Sequence, residues 1–127
     1  MAPENRDLAL LWDMREAARE ILEFTKEAPF SYFASNKMLR YAVERQILVI
    51  GEAASRISED FRRAHPEIPW RGIIGQRHVL AHEYGEILVE RIWLVVTQRI
   101  PELLQWIEPL IPQSPENNDG GNISVID

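Results

Sequence analysis

Between Arg77 and Tyr84 the chain reads RHVLAHEY, with one arginine, one tyrosine and two of the three histidines of the whole sequence in eight residues. The third histidine, His65, stands apart. Histidine exchanges protons near neutral pH, and arginine keeps its charge and matches phosphate oxygens with a planar fork. The stretch therefore has the parts for metal binding, for phosphoryl chemistry, or for neither.

Geometry limits each reading. A helical residue turns about 100°, so Arg77 and His82, five apart, point about 140° away from each other. They serve one site only if the helix is irregular, if both reach around an apolar face, or if a second subunit completes the site. His78 and His82, four apart, share a face. That is the spacing with which a helix grips zinc, but the metalloprotease form needs glutamate after the first histidine and here the residue is Val79. With no cysteine and a guanidinium next door, two histidines make a poor cation site, and no metal is expected. RNA, by contrast, carries its own nucleophile, the 2′-OH. Its cleavage needs a base, an acid for the leaving 5′-oxygen, and a cation for the charged phosphorane. Arg77 and His82 supply those parts, and a two-fold dimer would double them. The structural reading also stands at this level: a satisfied buried His82, a core Tyr84 and a surface Arg77.

The elements that must position these residues read as helices. Leu8, Leu11, Trp12, Ala18, Ile21, Leu22 and Thr25 recur at three- and four-residue steps, which predicts a helix from about Asn5 to about Glu27, stopped by Pro29. Ser31 or Asn36 can cap the next helix. This second helix is predicted from about Asn36 to Ala64, with Leu39, Val43, Ile47, Ile50, Ala54, Ile57 and Phe61 as its stripe. His65-Pro-Glu-Ile-Pro69 breaks the chain. A third element starts near Trp70 and turns Ile73, Ile74, Val79 and Leu80 inward, with Gly85 marking an end or kink. A fourth helix runs from about Glu86 to Glu108, kinked or restarted at Pro101. No strand is visible, so the fold class is all-α, an antiparallel four-helix bundle over residues 1–111. Residues 112–127, PQSPENNDGGNISVID, have the composition of a disordered tail.

Composition bounds the setting. The 127 residues suit one domain with a real core. The net charge of −6 argues against broad, non-specific nucleic-acid binding. Yet Phe61–His82 holds Arg62, Arg63, Arg71 and Arg77 against only Glu67, a local basic surface suited to a focused anionic ligand. The N-terminus MAPENRDLALLWDMRE lacks a leader's apolar region, and no apolar run is long enough to span a bilayer. A cytoplasmic protein without membrane attachment is expected, and the lack of cysteine permits a reducing compartment.

Three segments carry a resemblance. YAVERQILVIGEAASRIS (Tyr41–Ser58) matches a second-helix signature, PEIPWRGIIGQRHVLAHEYGEI (Pro66–Ile87) a segment with arginine, histidine and tyrosine at fixed spacing, and IWLVVTQRIPELLQWI (Ile92–Ile107) a final helix. Together they resemble the HEPN superfamily, and within it the HepT-like toxins of minimal nucleotidyltransferase–HEPN toxin–antitoxin pairs, over most of residues 8–108. The resemblance implies a helical bundle that dimerises with its R-x4-H motifs facing each other, and a metal-independent endoribonuclease needing no cofactor. It implies that Arg77 and His82 are the catalytic pair. Tyr84 would be the residue adenylylated by a nucleotidyltransferase antitoxin, the type VII arrangement, which places bulk and negative charge beside the cations that bind RNA. The RNA partner would be a tRNA or an mRNA.

The family usually has asparagine where this chain has His78, which would orient the site or act as a second proton-transfer group. Glu52, inside the second-helix signature, is expected to orient a basic group such as Arg77 or a histidine, with a solvated glutamate as the plain alternative. The competing function is a non-catalytic bundle that binds or scaffolds a nucleotidyltransferase, with Arg77 gripping phosphate only.

Overall fold

In the computed structural model, residues 2–112 are described. All but the first residue of the expected polar tail, 112–127, lies outside that range. The elements are α1 (Ala2–Phe24), α2 (Phe30–Ser35), α3 (Lys37–Arg56), α4 (Glu59–Ala64), α5 (Trp70–His82), α6 (Gly85–Leu94), a π turn (Val95–Arg99), α7 (Ile100–Ile107) and a closing 3₁₀ turn (Glu108–Leu110). No strand occurs among the described residues, and none of their helices is long and apolar enough to cross a membrane. The expected all-α bundle is what the chain forms.

Helix α1 buries Leu10, Leu11, Met14, Ala17, Ala18 and Ile21. Trp12, expected on that face, instead lies 40% exposed under the Arg15 guanidinium, 4.1 Å from its ring centroid. The helix stops at Phe24, three residues earlier than predicted. Glu27 turns left-handed (φ 62°) and Thr25 folds its hydroxyl back onto the Ile21 carbonyl at 2.8 Å. Six residues after Pro29 then form α2, which sequence periodicity did not reveal. Its Phe30 and Phe33 rings meet Trp93 of α6 at 5.8 and 5.0 Å.

The predicted second helix is two helices. Its stripe is as expected, with Val43, Ile47, Ile50, Ala54 and Ile57 buried, and Asn36 caps α3 by accepting from the Leu39 N–H at 2.9 Å. The break comes at Ile57 and Ser58, both extended. The Ser58 hydroxyl accepts from the Phe61 N–H at 3.1 Å, which starts α4. It also donates to Asp7 Oδ2 at 2.6 Å, while the Ser58 N–H donates to Asp7 Oδ1 at 2.9 Å. A buried carboxylate from α1 thus takes hydrogen bonds that a continuous helix would have kept internal.

That contact puts the start of α1 beside the end of α3, so the two helices run antiparallel. Helix α5 lies antiparallel on α3: Arg77 packs by Gly51, and Gly85 shares a hollow with Arg40, Tyr41 and Glu44. The fourth predicted helix is continuous from Gly85 to Ile107 but widens into a π turn just before Pro101. Proline has no N–H to give the ladder and its ring crowds the carbonyl four residues back, and the wider turn relieves both.

Candidate active site

The site is built on the last turns of α5. Of that helix only Trp70 is buried, its indole N–H donating to the His65 carbonyl at 3.0 Å. Ile73, Ile74, Val79 and Leu80, expected to point inward, are half-buried. The helix covers α3 on one side and leaves the other open.

Arg77 crosses α3 at its narrowest point. A Cβ on Gly51 would sit 3.1 Å from the Arg77 Cγ, so the missing side chain is what lets the arginine stem lie flat there. The next residue, Glu52, accepts from the guanidinium at 2.8 Å. With the two side chains 42% and 60% exposed, this pair adds little stability. Its effect is geometric, since one N–H is fixed and the rest of the fork has no acceptor among the described residues. Of the basic groups considered for Glu52, the one it contacts is Arg77.

His78 and His82 are exposed, their rings stacked with centroids 4.1 Å apart and planes at 37°. Helix α5 is regular α-helix through His82, which removes the irregular-helix route for bringing Arg77 and His82 together. Their side chains leave the axis about 140° apart.

Tyr84 is no core aromatic. It is 78% exposed and sits outside both helices, extended (φ −136°, ψ 161°) at the N-cap of α6. Gly85 follows with φ +63°, a left-handed backbone that side-chain-bearing residues rarely adopt. The joint turns the chain and leaves the phenol in solvent, two residues beyond His82. His65 is uninvolved: its ring lies on Phe61 at 4.5 Å, and Nδ1 is 3.4 Å from Glu67. Among the described residues no three histidine, aspartate, glutamate or cysteine side chains are grouped to hold a metal ion.

Comparison with known proteins gives the family. The model of HepT-like ribonucleases matches residues 14–110, a range that contains Glu52, Arg77, His78, His82 and Tyr84. The chain belongs to the HepT-like ribonuclease family. A Thermococcus cleftensis protein named "Probable ribonuclease HepT" is 42% identical over 100 residues, 79% of this chain and 91% of that one. Two proteins of Methanocaldococcus jannaschii, provisionally named as RNases, are 39% identical over 100 residues (79% of this chain, 92% of the relative) and 36% over 109 residues (86% and 90%). No solved structure matches significantly.

Two residues near this cluster were given no role from the sequence, although both lie in the quoted segment Tyr41–Ser58. Arg45 and Arg56 line, with Arg77, one cleft of about 300 Å³ between α1, α3 and α5. Their spacing of eleven, three helical turns, was the available signal, but it looks like any solvated stripe.

Proposed function

We propose that this protein is a metal-independent endoribonuclease in which Arg77 and His82 carry the reaction. The 2′-OH of a tRNA or mRNA attacks the adjacent phosphorus, the P–O5′ bond breaks, and the products are a 2′,3′-cyclic phosphate and a 5′-hydroxyl. One imidazole takes the 2′-OH proton, another donates to the departing 5′-oxygen, and Arg77 holds the non-bridging oxygens. His82 is one of those rings. His78, stacked on it, is the second proton-transfer group or the residue that orients it. Glu52 holds Arg77 in place, and no cofactor enters the scheme.

The observation that carries this reading is a guanidinium held at one edge by Glu52 and free at the others, on the same exposed helix end as two stacked histidines. Because a regular α5 sends Arg77 and His82 apart, we assign the complete site to a homodimer, in which one protomer's His82 works with its partner's Arg77. Met38 (82% exposed), Tyr41 (60%), Ile87 (60%) and Leu94 (44%) leave apolar surface for that contact. Tyr84 is the residue a nucleotidyltransferase antitoxin adenylylates. Its exposure makes it accessible, and an added phosphate would compete for Arg77. This makes the protein the toxin of a cytoplasmic toxin–antitoxin pair, with residues 1–111 as its working domain.

The test is cleavage of total RNA in EDTA by wild type, Arg77→Ala and His82→Ala, with intact mass read alongside. Cleavage lost in both variants is expected. A folded, unmodified wild type that cuts nothing would sink the proposal and favour the scaffold alternative, in which His82→Ala binds RNA as wild type does and Arg77→Ala does not. A mass gain of whole AMP units identifies a silenced preparation.

A further inference from the structure

The cleft beside Arg77 gathers three guanidiniums along one edge, against two carboxylates. Its walls are Leu10 and Asp13 of α1, the Arg45, Leu48, Val49, Glu52, Ala53 and Arg56 edge of α3, and Arg77 of α5. Arg45 and Arg56 are exposed and make no ion pair or hydrogen bond among the described residues. Arg15, Arg19, Arg63 and Arg99 are each held by a carboxylate; Arg6, Arg71 and Arg91 are exposed and unpaired among the described residues too, but they do not line this cleft. Eleven residues along α3 separate the two cations by about 16 Å, with Arg77 reaching the same edge between them at Gly51 and Glu52. The carboxylates present are Asp13 and Glu52, and Glu52 is already engaged by Arg77. The floor is apolar, with Leu10 buried and Leu48 37% exposed.

A row of three guanidiniums over an apolar floor fits a ligand with regularly spaced anions joined by less polar units, which describes the backbone of a single-stranded nucleic acid. On α5, the step from Gln76 to Arg77 leads from the cavity facing α7 to this cleft. A further turn of about 100° in the same sense brings His78 to the cleft's outer side. We infer that Arg45 and Arg56 hold the phosphates flanking the cleavage point, so that single-stranded RNA runs along α3 and is presented to Arg77 and the histidines. The inference rests on the ribonuclease reading for its orientation, though not for the binding itself.

The experiment uses the full chain and two probes: a labelled single-stranded RNA 12-mer and a ribodinucleotide with one phosphate. Binding of the 12-mer to His82→Ala protein, followed by fluorescence anisotropy from low to high salt, gives the slope of log K against log [salt]. Adding Arg45→Ala and Arg56→Ala lowers that slope by about 0.7 each. In the cleaving protein, the double variant lowers the ratio of kcat/KM for the 12-mer over the dinucleotide by about tenfold. Arg63→Ala, which removes the same charge elsewhere, leaves both readouts at the wild-type value. Each single variant gives its own slope change, so the outcome does not hang on the double variant folding. A slope unchanged in all three variants overturns the inference. So does an equal loss for both substrates, or an unchanged slope with a shift in dimer mass by light scattering, which would assign the arginines to a protein interface. A wild type that cuts neither probe while the slope still falls defeats the ribonuclease reading and leaves the RNA track standing.

Discussion

The packing of α1 on α3 and the surface of α5 are built on opposite terms. In the first, Leu11, Met14, Ala18, Ile21, Val43 and Ala54 are sealed from solvent on two long antiparallel helices. In the second, one buried tryptophan anchors thirteen residues, and the side chains beyond it that bear chemistry face outward. The α1–α3 layer holds the fold and α5 borrows its rigidity from α3 through Gly51 and Glu52. Under the proposed function, α5 has to remain open on the side where RNA arrives. The contrast implies that activity and stability are separable by substitution.

The largest effect that sharpens this contrast is at His82. Replacing it with alanine is expected to lower the cleavage rate by about 10²–10⁴-fold, with the thermal midpoint unmoved because the ring is exposed. A midpoint that falls along with the rate would break the contrast. In the other region, Ile21→Ala removes a fully buried side chain and should cost about 2–5 kcal/mol in urea unfolding. The protein that remains folded should cut RNA at the wild-type rate.

A smaller effect is expected where the regions touch. At Gly51 an alanine methyl would press the Arg77 stem by a few tenths of an ångström. Helix α3 gains up to about 1 kcal/mol from losing a glycine, while displacement of the guanidinium lowers kcat/KM about three- to tenfold. Paired melting and kinetic measurements would show the two moving in opposite directions. If both fall, the stem cannot yield and the close approach is structural.

The smallest effect concerns pH. Partial burial raises the Glu44 carboxyl above its ordinary value of 4.5, with Arg40 opposing. The folded protein thus binds this proton more tightly than the unfolded chain. The ionised carboxylate works against folding above the raised value, and that opposition fades as pH falls through it. Glu44→Gln should therefore gain stability over wild type near neutrality and lose that advantage as pH is lowered toward 4.5. Unfolding midpoints at a series of pH values decide it, and a gap that widens in acid contradicts it.

Periodicity made the α3 stripe legible because Val43, Ile47, Ile50 and Ala54 recur at helical steps on a face that is buried. It failed at Ser58 for a physical reason. Ile57 and Phe61 continue the same alternation of three- and four-residue steps, so the stripe runs unbroken across a backbone that is not helical, and the partner that breaks it, Asp7, lies 51 residues away. Helix α2 is too short to show a period. Trp12 misled because it follows Leu8 at a helical step, whereas it lies at the edge of that face beneath the Arg15 guanidinium. The cluster from Arg77 to Tyr84 was legible through residue type, since histidines are scarce in this chain, and Glu52 through its place inside the second-helix signature. Arg45 and Arg56 were not, because an arginine in a cleft and an arginine in open solvent leave the same trace in a sequence.

The Asp7–Ser58 contact has a consequence for assembly. It joins residues 51 apart, a separation whose closure entropy the packing of α1 on α3 already covers. The turn that aims α4, and through it the approach to α5, is thus held by the N-terminal end of the molecule. Among the described residues α5 rests mainly on α3, so its placement inherits that lock from a part of the chain it hardly touches. A fusion or truncation that disturbs the first turns of α1 would act at a distance, loosening the path into the helix that carries Arg77 while leaving most of the buried core intact.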